Sequence, residues 1–192
     1  MNLYSTYSSV NPECILKFWF IETDKDLHFR STREFDHIIA LKFKHMVDTC
    51  EKAFNYWDIT SSKALMASIL ISDQFSRHVY RGSSSAFKND RFAKQCTLKL
   101  ISKSRWENEW TQYQCMFAIL PLMHSEDLKD QESCIKLLTK YGPSMSLHYA
   151  KDHLDVIKRF GRFPHRNKAL GRTTTLEEKK FIKTRANWPS LK

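Results

Sequence analysis

The feature that most constrains the fold is a helical repeat of apolar residues in the first third of the chain. Between residues 35 and 54, apolar side chains recur every three or four positions. They are Phe35, Ile38, Ile39, Phe43, Met46, Val47, Cys50 and Phe54. This spacing puts them on one face of an α-helix, whereas a half-buried strand would alternate apolar and polar residues. Ser31 and Glu34 form a capping-box pattern just before the repeat, so the helix is predicted to begin there with Ser31 as its cap.

Helix start and stop patterns recur along the rest of the chain, and no segment shows a convincing strand alternation. Asn-Pro-Glu at 11–13 is typical of a helix start, and Gly-Pro at 142–143 is typical of a helix end. Pro121 is expected to kink or stop the helix that contains it, because proline lacks a backbone donor. The sequence therefore predicts an all-α protein of about eight helices, whose short connectors make neighbouring helices antiparallel.

The length of the chain indicates one domain. A chain of 192 residues can bury a substantial core, and no internal repeat or low-complexity block divides it. Residues 1–10 are rich in hydroxyl side chains and are predicted to be a flexible lead. Residues 11–192 are predicted to form a single helical domain.

The composition is that of an ordinary soluble globular protein, with 42% hydrophobic and 27% charged residues. The apolar runs are too short for a transmembrane helix, and the first residues lack the pattern of a secretory signal. The cysteines, at positions 14, 50, 96, 115 and 134, include no Cys-x-x-Cys pair. Such a set is typical of buried thiols in a reducing compartment. We therefore expect a cytoplasmic protein that does not associate with membranes.

The positive charge is concentrated near the C-terminus. The net charge is +10, and residues 151–192, with twelve Lys or Arg and four Asp or Glu, contribute +8 of it. Within this region, residues 157–172 carry six basic residues and no acid, and the arginines alternate with Phe160, Phe163 and Pro164. Arginine offers a planar fork that suits a carboxylate or a phosphate and tolerates partial burial. Either these arginines hold acidic side chains of the protein, or they bind an anionic ligand, with nucleic acid among the partners that the charge would attract.

Polar residues gather in three clusters at predicted helix ends. The first contains Asp73, Gln74, Arg77, His78, Tyr80 and Arg81. The second contains His124, Ser125, Glu126, Asp127, Asp130 and Gln131. The third contains His153, Arg159, Arg162, His165, Arg166, Asn167 and Arg172. Buried charges need partners, and each cluster lacks them nearby in sequence, so we expect the three clusters to meet in one pocket.

Each cluster also has a purely structural interpretation. Asp73 and Arg77 can pair along one helix, and Ser125 or Asp127 can simply cap the next helix. Arg162 and Arg166 can be internal partners of Asp73, Glu126 or Asp127. His165, which follows a proline, is typical of a residue that forms turn hydrogen bonds.

His124 is the best candidate for proton transfer, because Glu126 and Asp127 are close enough in sequence to hold one tautomer of its ring. A metal site is not predicted, since no helix carries a His-x-x-x-His or Glu-x-x-His pair. The sequence contains no Gly-x-Gly-x-x-Gly and no Walker loop, so no nucleotide fold and no cofactor are expected.

Three long segments that carry these clusters resemble one known family. They are residues 70–82 (LISDQFSRHVYRG), 120–127 (LPLMHSED) and 159–167 (RFGRFPHRN), followed by 170–175 (LGRTTT) with Glu177 and Glu178. The family is domain of unknown function 924, and the resemblance covers about residues 12–182. It implies a helical array similar to tetratricopeptide repeats, and it implies no activity. Ser76 and His78 stand where the family typically has Pro and Asn, and the Trp-rich segment before Phe35 is reduced to His28-Phe29.

The sequence leaves three hypotheses open for function. The first is a protein that binds an anionic, phosphate- or carboxylate-bearing ligand, which could be RNA. Its anion-binding residues would be Arg77, Tyr80, Arg81, His153, Arg159, Arg162, Arg166, Asn167 and Arg172. The second is a hydrolase-type enzyme that uses His124 and His165 as acid and base, with Glu126 and Asp127 orienting them. The third is a scaffold for a protein partner, in which the arginines are structural.

Overall fold

The architecture of the chain was analysed in a computed structural model, which describes residues 11–30, 32–53, 57–58 and 60–184. The predicted flexible lead, residues 1–10, lies outside the described residues, as do Ser31 and Phe54. Within the described ranges there are helices and no strand, so the predicted all-α class is confirmed. The tetratricopeptide-like arrangement remains a prediction from the resemblance.

The described part of the chain contains eight α-helices of six residues or more. They are α1 (Pro12–Lys17), α2 (Arg33–Asp48), α3 (Ser62–Ile69), α4 (Asp90–Ile101), α5 (Gln112–Met123), α6 (Leu128–Tyr141), α7 (Ser144–Phe160) and α8 (Leu176–Thr184). A π-helical turn, Phe18–Glu22, extends α1, and another, Leu70–Phe75, extends α3 into a short helix at Ser76–Val79. Short 3-10 turns lie between the longer helices, and one of them, Pro164–Arg166, stands between α7 and α8.

Local sequence patterns placed the first two helices well, with one shift. Asn11 caps α1 by accepting a hydrogen bond from the backbone N–H of Cys14, as predicted. The cap of α2 is Thr32, one residue after the predicted Ser31, and its hydroxyl accepts from the N–H of Phe35. Either hydroxyl can cap a helix, so the two adjacent positions are hard to distinguish from sequence.

The apolar face of α2 is narrower than its sequence suggests. Phe35, Ile39, Phe43, Met46 and Val47 are buried, but Ile38 is 42% exposed. Ile38 precedes Ile39 by one position, which turns its side chain about a quarter of a turn away from the packed stripe. The predicted inclusion of Ile38 in the buried face was therefore wrong.

Pro121 does not end α5. The helix continues for two more residues to Met123, and His124 is its C-cap. The residues around Pro121 are all buried, so tertiary packing stabilises a turn that proline alone would weaken. This continuation decides where His124 lies, because it places His124 in the turn that leads into α6.

From α3 to α7, helices adjacent in sequence pack against one another. The pairs α3–α4, α4–α5, α5–α6 and α6–α7 are in contact, and α2 packs against the segment that follows α3. Most buried apolar residues form one large cluster. A second, smaller cluster contains Val156, Ile157, Phe163 and Phe181, and it fixes the loop between α7 and α8.

Gly161 ends α7 in a left-handed conformation, with φ of 66°. Glycine adopts this conformation without the steric cost that a Cβ atom would bring, which is why helices commonly end in this way. The chain reverses at this point, and the loop 162–175 turns back toward α5 and α6. None of the described helices is long and apolar enough to cross a bilayer.

Candidate functional site

The centre of the candidate site is Asp73, which lies in the π-helical turn after α3 and is completely buried. Three side chains contact its carboxylate. Nη1 of Arg77 lies 3.0 Å from Oδ1, and the amide of Gln74 donates to Oδ2 at 2.5 Å. Nδ1 of His124 lies 2.8 Å from Oδ1 and 3.0 Å from Oδ2. Burial by itself would raise the pKa of Asp73, but the contacts with Arg77 and His124 outweigh burial. The pKa of Asp73 therefore lies below its ordinary value, and the carboxyl group is ionised.

The carboxylate that holds His124 is therefore Asp73, and the prediction that Glu126 and Asp127 would orient the ring was wrong. Asp127 caps α6 by accepting from the N–H of Lys129 at 2.8 Å. Glu126 points to the loop after α7. The first and second clusters do meet, but through a pair of residues 51 positions apart in sequence.

Glu126 fastens the loop between α7 and α8 to the end of α5. Its Oε1 accepts from the backbone N–H of Phe163 at 2.9 Å, and both its oxygens accept from the guanidinium of Arg172 at 2.9 and 2.8 Å. Burial raises the pKa of Glu126, but the hydrogen bonds from Arg172 and Phe163 lower it below its ordinary value. Arg172 is thus engaged within the protein.

Glu178 at the start of α8 holds the other side of the same loop. It accepts from Nε and Nη2 of Arg162 at 2.7 and 3.0 Å, from the amide of Asn167 at 3.2 Å, and from the N–H of Thr175 at 2.8 Å. The hydrogen bond from Arg162 is the main cause that lowers the pKa of Glu178 to about 2. Arg162 thus has an internal carboxylate partner, as the structural interpretation held, but that partner is Glu178 and not Asp73, Glu126 or Asp127.

Three other residues predicted to bind an anion, namely Arg81, Arg159 and Tyr80, contact carboxylates other than Asp73, Glu126 and Glu178. Nε and Nη2 of Arg81 donate to both oxygens of Asp36, at 2.6 and 2.9 Å. Nε and Nη2 of Arg159 donate to Glu177, at 2.9 and 2.7 Å. Tyr80 hydrogen-bonds Asp48 and accepts from Lys44, whose Nζ lies 2.7 Å from the phenol oxygen.

Arg166 differs from the other arginines of the loop. Its side chain is 7% exposed, and its nearest carboxylate oxygen, Oδ2 of Asp90, lies 3.6 Å from Nη1. The guanidinium lies over the rings of Phe163 and Phe87, at 4.5 and 4.8 Å from the ring centroids. Among the described residues no group hydrogen-bonds its buried Nε. The carboxylate near Arg166 is therefore Asp90, and not the Asp73, Glu126 or Asp127 that the structural interpretation named.

Burial, and then repulsion from Arg77, lowers the pKa of Arg166 to about 10. The guanidinium is therefore still charged at neutral pH. Arg77 also contacts Asp90, with Nη1 3.1 Å from Oδ1 and Nη2 3.2 Å from Oδ2. Asp90 thus lies near both arginines, and its single negative charge is shared between the positive charges of Arg77 and Arg166.

Two further histidines lie beside this arginine. His153 donates from Nδ1 to the carbonyl of Tyr149 at 2.8 Å, and burial lowers its pKa to about 4. Burial and the charge of Arg166 lower the pKa of His165 to about 3, and within the described chain its buried Nδ1 has no hydrogen-bond partner. Burial lowers the pKa of His124 as well, and Arg77 and Arg166 add to this effect while Asp73 opposes it. His153 and His165 are therefore neutral at pH 7, and burial favours the neutral form of His124 as well.

The structure thus brings together part of each predicted cluster. We call this group, namely Asp73, Arg77, Asp90, His124, His153, His165 and Arg166, the histidine–arginine cluster. The partner carboxylates Asp36 and Asp90 were not singled out in the sequence, and Glu178 was named only as part of a family-like segment, not as the partner of an arginine. A weak signal existed for Glu178, because Thr175 and Glu178 form a capping-box pattern whose glutamate can also accept from an arginine.

A surface cavity of about 380 Å³, lined by Glu51, Arg91, Phe92 and Gln95, shares no residue with the histidine–arginine cluster. Over the described ranges, no three His, Cys, Asp or Glu side chains are grouped so that they could hold a metal ion. The cluster offers two guanidinium groups, Arg77 and Arg166, beside the imidazoles of His124, His153 and His165.

Comparisons with known proteins identify the family and no activity. No protein of curated function matches the chain. A solved structure is similar, that of the protein of unknown function ATU0120 from Agrobacterium tumefaciens, with a TM-score of 0.81 and 26% sequence identity. The alignment covers 95% of this chain and 99% of that one. Residues 15–186 match the family described as bacterial protein of unknown function (DUF924), and the chain belongs to that family.

Proposed function

We propose that the protein binds a small anionic ligand, bearing a phosphate or a carboxylate, at the Nε–Nη2 edge of Arg166. The observation that carries this proposal is a charged and buried guanidinium whose Nε is unpartnered among the described residues. Burying a charge with incomplete pairing costs several kcal/mol, by the general magnitude for buried ions. An oxyanion at this edge would supply the missing acceptors.

Other arginines of the same chain show what this edge does when it is occupied. Arg81 and Arg162 each use Nε and Nη2 together on the two oxygens of one carboxylate. Arg159 uses the same two atoms on Glu177. The guanidinium of Arg166 lies over the rings of Phe87 and Phe163. Within the described part of the chain its Nη1 is near Asp90 and its Nε has no partner, so we assign the Nε–Nη2 edge to a ligand.

The same contacts favour a small ligand over RNA or a protein partner. Arg159, Arg162 and Arg172 already donate to glutamates, so they offer few donors to a nucleic-acid backbone. We also place the protein in the cytoplasm, supported by its five cysteines, all of which are free thiols.

Thermal melts with and without inorganic phosphate test the anion site. We expect phosphate to raise the melting temperature of the wild type, because a ligand at about 100 times its Kd stabilises the folded state by about 2.7 kcal/mol. Arg166→Met keeps the bulk and removes the charge. In the absence of phosphate its stability should equal or exceed that of the wild type, and phosphate should no longer raise its melting temperature.

Arg162→Met is the matched control, because Arg162 lies in the same loop and its fork is filled by Glu178. This variant should melt at a lower temperature than the wild type but keep the rise caused by phosphate. Sodium chloride at equal ionic strength controls for nonspecific screening. A phosphate effect of the same size in Arg166→Met would contradict the proposal, and so would the lack of any effect in the wild type.

A second candidate function, a hydrolase-type enzyme, is favoured by the contact between Asp73 and His124. A buried carboxylate that accepts from Nδ1 leaves Nε2 as the proton acceptor, the arrangement that general bases use. We expect that an enzyme of this kind would hydrolyse an activated phosphate ester and that His124→Gln would lower its rate by about 100-fold or more. Spectrophotometric assays of p-nitrophenyl phosphate check this. No turnover, or turnover that His124→Gln leaves unchanged, would contradict enzymatic function.

A further inference from the structure

We infer that Asp90 regulates the anion site as an internal competitor: its carboxylate pairs with Arg166, and a bound anion must displace it. Because this regulation acts on the proposed anion site, it rests on that proposal. It is supported by the contacts that Asp90 and Phe87, three residues apart, make with the same two arginines.

One oxygen of Asp90 lies near two guanidinium groups. Its Oδ2 is 3.2 Å from Nη2 of Arg77 and 3.6 Å from Nη1 of Arg166. The single negative charge of Asp90 is thus divided between two positive charges. An anion that binds Arg166 therefore competes with Asp90 for the same guanidinium.

The hold of Asp90 on Arg166 is loose. Their separation of 3.6 Å exceeds the range of an N–H···O hydrogen bond, whereas Arg162 approaches its carboxylate to 2.7 Å. The side chain of Asp90 is also 26% exposed, whereas that of Asp73 is completely buried. A loosely held carboxylate that water can reach is able to turn away from Arg166. Arg77 would then keep Asp73 as its partner.

Phe87, at the end of a 3-10 turn, covers the same two arginines. Its ring centroid is 4.8 Å from the guanidinium carbon of Arg166 and 5.8 Å from that of Arg77. Phe163, over which Arg166 also lies, is completely buried, whereas Phe87 is half-buried. The solvent side of Arg166 is therefore the side of Phe87. An anion that arrives from water meets Phe87 and the partly exposed Asp90 first.

Displacement of Asp90 exchanges one charge pair at Arg166 for a closer one. An oxyanion at the Nε–Nη2 edge would accept from two donors, as the carboxylates at Arg81 and Arg162 do. Asp90 instead has Nη1 alone, at 3.6 Å. Two negative charges near one guanidinium repel each other, so the charge of Asp90 lowers the affinity for the anion. Asp90 thus limits how tightly the site binds and favours release of the ligand.

Isothermal titration calorimetry of Asp90→Asn with sodium phosphate, at pH 7 and constant ionic strength, tests this regulation. Asparagine keeps the shape of the side chain and removes its charge. We expect Asp90→Asn to bind phosphate about tenfold or more tightly than the wild type, which corresponds to about 1.4 kcal/mol. Addition of Arg166→Met to this variant should abolish the binding.

Asp155→Asn is the control for total charge, because Asp155 is exposed on α7. Exposed charges contribute little, so this variant should bind phosphate within about twofold of the wild type. An equal gain in affinity in Asp155→Asn would overturn the role of Asp90, since the gain would then reflect total charge.

The same titrations separate the role of Asp90 from the anion site. If Asp90→Asn binds no more tightly than the wild type, and Arg166→Met does not bind, Asp90 is no competitor and the anion site remains. Binding by neither the wild type nor Asp90→Asn overturns the anion site as well. If Asp90→Asn fails to fold by circular dichroism, a crystal structure of the wild type with phosphate decides. Asp90 displaced from Arg166 would support the inference, and Asp90 still 3.6 Å from Arg166 beside bound phosphate would overturn it.

Discussion

Asp73→Ala is expected to lower the free energy of unfolding by about 3–5 kcal/mol, the usual cost of breaking a buried charge pair. The carboxylate is fully buried and holds both Arg77 and His124. Without the carboxylate, Nδ1 of His124 loses its hydrogen-bond acceptor, and Asp90 becomes the remaining carboxylate that pairs with Arg77. Equilibrium denaturation in urea measures the change.

The matched control is Glu13→Ala, which removes a carboxylate from an ion pair on the surface. Glu13 and Lys63 are 2.7 Å apart, and their side chains are 67% and 57% exposed. Surface pairs contribute little, so this variant should unfold like the wild type. If Asp73→Ala lowered the free energy of unfolding by less than about 1 kcal/mol, Asp73 would not be the buried charge partner that the site requires.

Phe43→Ala is expected to lower the free energy of unfolding by about 3–5 kcal/mol, as large core truncations do. The ring packs edge-on against Phe18, with centroids 4.9 Å apart, and stacks on Phe75 at 4.8 Å. Alanine would leave a cavity between α2 and the π-helical turns that follow α1 and α3. Phe75 lies two residues after Asp73, so this packing also supports the candidate site.

Leu41→Ala is the control for this substitution, because Leu41 lies on the same helix and is 74% exposed. Its removal should change stability by less than about 0.5 kcal/mol, as is usual for exposed positions. Urea denaturation of the two variants side by side isolates the contribution of burial from that of helix propensity. A loss below about 1 kcal/mol for Phe43→Ala would show that α2 is not packed in the core.

The helices could be predicted from the sequence because helix formation depends on contacts between residues three and four positions apart. The cap at Asn11 and the buried face of α2 follow from such spacing. Where the prediction of an element failed, tertiary packing was the cause. Pro121 remains inside α5 because the residues around it are buried, and Ile38 lies at the edge of the packed face.

The candidate site was predictable only in part. The sequence showed that His124, His165 and Arg166 stand in polar clusters near helix ends, where functional groups collect. It could not show their partners, since any of several carboxylates could reach any of several arginines. Glu178, which takes Arg162, and Asp90, which lies near Arg166, belong to helices whose placement depends on the whole fold.

What the sequence by itself determined is the all-α class, the approximate positions of most helices and the residues that supply charge to the site. Those properties depend on local spacing and on side-chain chemistry. Only the tertiary structure decided that Asp73 holds His124 across 51 positions and that Glu126 and Glu178 fasten the loop after α7. It also decided that Nε of Arg166 has no partner among the residues that the structure describes. Charge pairing is long-range in sequence and depends on which helix ends meet in space, and the packing of the apolar faces decides that.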